Sequence, residues 1–379
     1  MKKIVSIGFI IILGAISYYL YNQNTKKEIA QEKSPQTTNQ SSNDSDIPEA
    51  TTIAEGLDTP WSLVFLPDKS ILFTERPGRI RRIVNDSLET DPVITLPNVR
   101  QIGEGGLLGM ALHPEFEKNN YIYIYYTYSS AGNNTLNRVV RMTYGNGKLT
   151  NEEILVDSIP GASNHNGGRI KFGPDGYLYV TTGDAEVPSQ AQDKNSLAGK
   201  ILRVTETGKA APGNPFNNRT YSYGHRNPQG LAWDNKGHLW ATEHGRSGVQ
   251  SGLDELNLIE SGKNYGWPEI QGDETQSGME TAKANSGSTT WAPAEVVYLN
   301  NSLYFGALRG KSLYQAVIQG TNVSTVNKFL NDTYGRIREV AIGPDNMLYI
   351  STSNQDGRGT PESGDDRIIR INPSKISNY

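Results

Sequence analysis

The sequence predicts an all-β fold, a six-bladed β-propeller of four-stranded antiparallel blades running from Thr51 to the C-terminus, preceded by an N-terminal hydrophobic segment and a flexible linker. Three observations predict it. One motif recurs, an apolar strand, a Pro-Asp-like turn and a second strand rich in Tyr, Ile, Leu and Thr. The copies are nearly evenly spaced. The composition, with 39 Gly and 20 Tyr against 8 Phe in 379 residues, suits many short strands and tight turns.

Taken in chain order, Lys2 and Lys3 precede an apolar run from Ile4 to Tyr21, the charged and apolar regions of an export signal. Its length is near the ~20 residues that span a bilayer, and Ala15-Ile16-Ser17 is the nearest thing to a cleavage site, so residues 1–21 read as a signal peptide or a membrane anchor. Residues 22–50 are rich in Asn, Gln, Ser, Thr and Lys and hold too little apolar surface to bury a core, which makes them a disordered polar tether. The predicted location is the periplasm or the extracellular face.

The repeats follow. Phe65-Leu66-Pro67-Asp68 leads to Ile71-Leu72-Phe73-Thr74, and His113-Pro114-Glu115 leads to Tyr121-Ile122-Tyr123-Ile124. Gly173-Pro174-Asp175 leads to Tyr177-Leu178-Tyr179-Val180, Trp233-Asp234-Asn235 to His238-Leu239-Trp240, and Gly343-Pro344-Asp345 to Met347-Leu348-Tyr349-Ile350. The last gap is about twice the others, and a degenerate copy at Leu299-Asn300-Asn301-Ser302-Leu303-Tyr304 fills it. Units of roughly 45 to 65 residues, each with about four strand-like runs, are what a propeller blade requires. A formal charge of −4 with scattered acids and bases excludes a broad nucleic-acid-binding surface. The absence of Cys excludes disulfides, thiolate metal sites and cysteine nucleophiles.

A propeller builds its site at one channel mouth from loops of several blades. Three polar loops qualify. In Ser163-Asn164-His165-Asn166-Gly167-Gly168-Arg169, nothing apolar surrounds His165, which is either a general base working near neutral pH or an ordinary exposed loop histidine. Tyr223-Gly224-His225-Arg226-Asn227-Pro228-Gln229-Gly230 packs guanidinium and amide donors that can grip carbonyl or carboxylate oxygens, or else cap a blade, with His225 structural. Likewise His113 belongs to its turn. Glu243-His244-Gly245-Arg246, Asp254-Glu255 and Asn264-Tyr265-Gly266-Trp267-Pro268 offer carboxylates and loop carbonyls of the kind Ca²⁺ takes, without EF-hand spacing. Arg336 and Arg338 alternate on one strand face as an anion clamp would, although Arg79 and Arg81 alternate likewise.

Together these stretches resemble the soluble PQQ-dependent aldose sugar dehydrogenases, the family of soluble quinoprotein glucose dehydrogenase, over nearly all of residues 52–372. The resemblance rests on Leu57-Asp58-Thr59-Pro60-Trp61-Ser62-Leu63, Gly103-Glu104-Gly105-Gly106-Leu107-Leu108-Gly109, the three loops and the Arg336/Arg338 pair. It implies a six-bladed propeller that binds PQQ and Ca²⁺ and oxidises an aldose at C1, passing electrons to an external quinone or cytochrome, and leaves open a homodimer. It implies His165 as catalytic base, Asp184 as the acid that orients it, and Arg226 beside the reacting quinone. Glu104, Asn227, Gln229, Arg309, Arg336 and Arg338 fall at cofactor-contacting positions. The Gly245 and Arg246 carbonyls match those that hold the cofactor's Ca²⁺, and Glu255 and Tyr265 match ligands of a structural calcium. Three features depart from the pattern: Glu104 stands where Gln is usual, Arg309 where Lys is usual, and the loop from Gly245 to Asp254 is longer. A carboxylate at 104 would repel PQQ unless protonated or turned away. Two classes compete: calcium-dependent lactonases, which would not need three arginines for a polyacid cofactor, and non-catalytic sugar-binding propellers, against which intact His165, Asp184 and Arg226 argue.

Overall fold

The structure, a computed structural model, describes residues 49–376 except for the side chain of Val249; the export segment and most of the tether lie outside the described residues. Residues 49–376 form six antiparallel sheets in sequence order. Blade 1 holds Pro60–Phe65, Ile71–Glu75, Arg79–Val84 and Ser87–Leu88, with the short strand Ile94–Thr95 added on Arg79–Val84. Blade 2 holds Leu107–Leu112, Tyr121–Ser129, Thr135–Gly145 and Lys148–Pro160, and blade 3 holds Ile170–Phe172, Leu178–Thr182, Lys200–Val204 and Thr220–Tyr223. Blade 4 holds Pro228–Trp233, Leu239–Glu243, Glu255–Ile259 and Ala284–Asn285, and blade 5 holds Pro293–Leu299, Ser302–Ala307, Ser312–Gln319 and Asn322–Phe329. Blade 6 takes Ile337–Ile342, Leu348–Thr352 and Ile368–Ile371, and its outer strand is Ala50–Ala54 from the other end of the chain. That pairing, Ala50 opposite Ile371, closes the ring; it has no signature in the repeat, because it joins the two ends of the propeller.

First strands of neighbouring blades pack together, blade 3 reaching blade 4 through Lys171 Nζ on the Leu231 carbonyl (3.0 Å), and blade 6 returns to blade 1, so these six strands line the channel. Apolar side chains on the two faces of each sheet meet those of the next blade. One cluster joins Leu72 and Ile80 of blade 1 to Ile122 and Ile124 of blade 2, and another joins Leu313 of blade 5 to Val340 and Ile350 of blade 6. Burial on both faces explains the nearly continuous apolar runs of the inner strands.

The recurring turn has a physical role. Asp175 accepts from the Tyr179 hydroxyl (3.0 Å) and Arg203 Nε (2.8 Å), and Asp345 accepts from Tyr349 (3.2 Å) and Arg370 Nε (2.6 Å), so one carboxylate ties the turn to the second and third strands. The degenerate copy in blade 5 turns on Asn300 and Asn301, with φ of 49° and 57°, between Leu299 and Ser302. Two left-handed residues make the tight hairpin that Asn tolerates, so Pro-Asp is not needed there.

Each first strand runs away from one mouth and each second strand runs back to it. One mouth therefore collects the starts of the first strands and the loops that follow the second strands. The other collects the turns between them.

Candidate active site

The loop that carries His165 sits at the first mouth. His165 has φ of 57°, and its peptide N–H donates to Glu104 Oε2 (3.1 Å). The loop is held from beneath: the buried Tyr125 hydroxyl donates to the Asn166 carbonyl (2.8 Å), and the Gly167 N–H donates to Asn227 Oδ1 (2.9 Å). The loop after Thr182 presses so closely that a Cβ on Gly183 would lie 1.8 Å from the His165 carbonyl oxygen, so only glycine fits there.

His165 Nδ1 is 2.8 Å from Asp184 Oδ1. Asp184 is fully buried, and its other contacts are donors: Trp267 Nε1 to Oδ2 (2.8 Å) and the Glu186 N–H to Oδ1 (2.9 Å). An acceptor so placed puts the imidazole proton on Nδ1 and leaves the Nε2 lone pair free. Behind Asp184, the buried Lys200 ammonium donates to the carbonyls of Gln190 (2.9 Å), Ala191 (3.0 Å) and Ala198 (2.6 Å) and pins the 184–199 loop. The chain thus supplies an oriented base with a rigid support.

Around this base lies an excess of buried cations. The Arg226 guanidinium stands 5.3 Å from the Trp267 ring centre and donates to Ser247 Oγ (2.8 Å), while its Nε is buried without a partner. Arg338 donates to Gln229 Oε1 (2.6 Å), its Nε is also unpartnered, and burial pushes its pKa down to about 9. Arg76 touches the Asp356 carbonyl (3.2 Å) and likewise has an unpartnered Nε. Burial lowers the pKa of both Arg226 and Arg76. Arg246 Nε is a further buried donor without a partner and His244 Nε2 a buried ring nitrogen without one, and burial, reinforced by Arg338 and Arg226, pushes His244 down to about 3 and keeps it neutral. Buried polar atoms left without partners are costly, and several around one cleft mark a place shaped for an anion.

Most residues singled out in the sequence converge here: His165, Asp184, Arg226, Asn227, Gln229 and Arg338. Arg336 differs. It is buried beside Arg338, but its Nε and Nη2 close on Asp356 Oδ2 (3.0 and 2.7 Å), so its charge is already matched, and Arg76 supplies the third uncompensated guanidinium. Glu104 is held as a charged group rather than a protonated one. Despite burial, His244, Arg358 and the His165 N–H hold its carboxyl down at about 2, and its two oxygens are taken by the Arg358 guanidinium and the His165 N–H. Arg309 is exposed at the rim next to Leu308, whose carbonyl takes Arg336 Nη1 (3.3 Å). His225 is structural, held between Glu243 (2.8 Å) and Ser222 (2.8 Å) and stacked on Tyr265, and His113 sits in its turn against Glu115 and Asn119.

For the cation, the Gly245 carbonyl accepts no hydrogen bond among the described residues, whereas the Arg246 carbonyl already accepts from the Gly252 N–H (3.3 Å). Glu255 lies directly opposite Glu243 in the sheet, and burial together with Glu243 pushes it up to about 8. Glu243 is already engaged by His225 Nδ1 and by the Arg226 and Asn227 N–H groups, so Glu255 is the member of the pair that could serve an oxygen-seeking cation. The Tyr265 hydroxyl is committed to Leu258 (2.6 Å) and Glu260 (2.8 Å), which leaves its carbonyl as the group free for a metal. Among the described residues no three His, Cys, Asp or Glu side chains converge as a metal centre, so main-chain oxygens would have to complete either site.

Arg76, His244, Trp267, Asp356 and Arg358 were not assigned roles from the sequence. A positional signal exists for two of them. Arg76 and His244 each follow directly the last residue of a second strand, Glu75 and Glu243, as Asp184 closely follows Thr182.

The family model described as glucose/sorbosone dehydrogenase matches residues 57–360. The aldose sugar dehydrogenase YliI of Escherichia coli is 32% identical over 341 residues, covering 80% of this chain and 90% of that protein. A PQQ-bound aldose sugar dehydrogenase from Streptomyces coelicolor superposes with a TM-score of 0.79 at 40% identity, covering 85% of this chain and 98% of that one. A putative glucose dehydrogenase from Thermus thermophilus does so with a TM-score of 0.80 at 43% identity over the same shares.

Proposed function

The chain belongs to the glucose/sorbosone dehydrogenase family, and from that premise we propose that it is a quinoprotein that oxidises aldose sugars at C1 to the lactone, with PQQ as the electron acceptor and Ca²⁺ as its companion. One observation carries the reading: an oriented His165–Asp184 pair stands beside Arg76, Arg226 and Arg338, three buried guanidiniums that lack a carboxylate partner. Three uncompensated cations match a cofactor with three carboxylates. Bound there, PQQ supplies a two-electron acceptor for the hydride leaving the sugar carbon, and Ca²⁺ supplies a Lewis acid.

The chain's own residues do the rest. His165 Nε2 takes the proton from the anomeric hydroxyl as that carbon becomes a carbonyl, and Asp184 stabilises the imidazolium that results. Trp267 fixes Asp184, so the base cannot swing away. The guanidiniums of Arg226, Arg338 and Arg76 and the amides of Asn227 and Gln229 would hold and orient the anion. The carbonyls of Gly245 and Arg246 are the ligands offered to the cofactor's cation, and Glu255 with the Tyr265 carbonyl those of a structural one. Arg309 is an exposed cation at the rim, open to the bound anion.

The N-terminal apolar run would export or tether the enzyme, placing it in the periplasm or on the outer face of the membrane, where a membrane quinone or a cytochrome can receive the electrons. Homodimer formation belongs to the same reading.

The test is to purify residues 49–379 free of cofactor, add PQQ and Ca²⁺, and follow reduction of an artificial dye with a panel of aldoses. Dye reduction that needs both additions is expected. No PQQ-dependent reduction with any sugar would overturn the reading, and hydrolysis of a lactone with Ca²⁺ alone would replace it with a hydrolase.

A further inference from the structure

Glu104 Oε2 accepts from the His165 N–H (3.1 Å) and from Asn227 Nδ2 (3.5 Å), so its carboxylate sits among the residues of the anion site, where its charge acts on Arg76, Arg226, Arg338 and His244. A bare carboxylate there would oppose any anionic ligand. The side chain that answers it comes from a different blade. Arg358, half-exposed on the loop between Leu348–Thr352 and Ile368–Ile371 of blade 6, extends over the mouth, with Nη1 against Glu104 Oε1 and Nη2 donating to Asn164 Oδ1 (2.6 Å).

The reach is organised. The Arg358 N–H donates to Asp356 Oδ1 (2.9 Å), and the other oxygen of Asp356 closes on Arg336. One acid therefore both neutralises Arg336 and aims Arg358. At the far end, Glu104 Oε2 accepts the His165 N–H (3.1 Å), and Asn164, the residue before the base, also donates to Glu186 Oε1 (2.7 Å). Arg358 thus braces the His165 loop at two points, directly through Asn164 and indirectly through Glu104.

We propose that Arg358 is a positioning residue that works through Glu104: the ion pair holds the His165 loop in its left-handed conformation, and the guanidinium cancels the carboxylate charge that would otherwise face the cofactor. Its second part rests on the PQQ reading above. The pair does with two ionised groups what a single neutral amide at 104 could do, since a glutamine oxygen can also accept the His165 N–H. The charge at 104 is therefore tolerable only while Arg358 is present, and the two positions must be read together.

The experiment is a double-mutant cycle on wild type, Glu104→Gln, Arg358→Gln and the double variant. Two quantities are measured: PQQ affinity, by quenching of tryptophan fluorescence at low and high salt, and the melting temperature of the cofactor-free protein. Arg358→Gln is expected to weaken PQQ binding at least tenfold, less so at high salt, and to lower the melting temperature. Adding Glu104→Gln to it should restore most of both losses, and Arg358→Lys should restore only part. Wild-type affinity in Arg358→Gln, or losses that simply add, would overturn the proposal. If the wild type itself takes no PQQ, the functional reading fails; the pair is then judged by melting temperature, where additive losses overturn it and recovery in the double variant upholds it.

Discussion

The two mouths of the channel are built from the same six strands and have opposite chemistry. At the mouth where those strands begin, Arg76, Arg226 and Arg338 hold buried donors, and His244 a buried ring nitrogen, that no described residue satisfies. The mouth where they end opens on a cavity of about 730 Å³ walled by Phe65, Leu112, Phe172, Trp233 and Ile342. Its floor carries both signs of charge in ion-pair contact: Arg169 pairs with Glu295 and with Glu339 (2.9 Å), and Lys171 pairs with Glu295 (3.1 Å), although Arg169 Nη2, Glu295 Oε2 and Glu339 Oε2 still lack a hydrogen bond. The working end is marked by buried guanidiniums with no carboxylate in ion-pair contact among the described residues, Arg76, Arg226 and Arg338, whereas Arg169 and Lys171 on the other floor each have one.

That contrast can be broken most severely at His165. His165→Ala should reduce turnover by about 10³-fold or more while PQQ affinity stays within a few-fold of wild type, since the residue moves a proton rather than holding the anion. Steady-state dye reduction alongside a binding titration checks both halves. Loss of PQQ binding instead would move His165 into the anion site.

Arg338→Met tests the unpaired guanidiniums. Removing one buried, charge-assisted contact should weaken PQQ binding about 10- to 100-fold. Lys171→Met, in the ion-paired floor of the other mouth, should leave PQQ affinity unchanged and lower the melting temperature, because it leaves Glu295 short of a cation. Equal effects of the two substitutions on affinity would erase the distinction between the mouths.

The same contrast explains what was legible in the sequence. The fold could be read because the turn mouth repeats: the Asp of the Pro-Asp turn does the same mechanical task at Asp175 and at Asp345, so selection for closure writes one pattern many times. Ring closure by Ala50–Ala54 was not legible, being a single event between distant ends. The working mouth is the part that does not repeat. His165, Asp184, Arg226 and Arg338 stood out through motif resemblance, whereas Asp356 and Arg358 lie in a loop whose meaning depends on which blade faces it across the channel. Arg336 and Arg338 look equivalent by alternation, and only the position of Asp356 separates the matched one from the unmatched one.

Phe172→Ala probes the apolar mouth. Phe172 packs edge-on against Tyr123 (5.0 Å) and His113 (5.3 Å), and its removal should cost about 2 kcal/mol of stability, less than a full core deletion because the ring is only partly buried. Thermal unfolding reads the loss; turnover and PQQ affinity should not change. A fall in either would show that the opposite mouth communicates with the site.

The smallest effect expected is in acid, and it distinguishes two carboxylates of the channel. Burial, with Glu295 beside it, pushes Glu339 up to about 8 against the pull of Arg169, whereas His244, Arg358 and the His165 N–H hold Glu104 at about 2 despite burial. For Glu104 the unfolded chain binds its proton near the ordinary value of 4.5, before the folded one does. Its contribution is therefore present above pH 4.5 and fades as the pH falls toward 2. Glu104→Gln should remove that fading, flattening the acid limb of the melting profile by about 1 kcal/mol, since Arg358 is half-exposed and solvent screens the pair. An unchanged acid limb would mean that Glu104 is held by packing rather than by charge, and that its ion pair is incidental to the His165 loop.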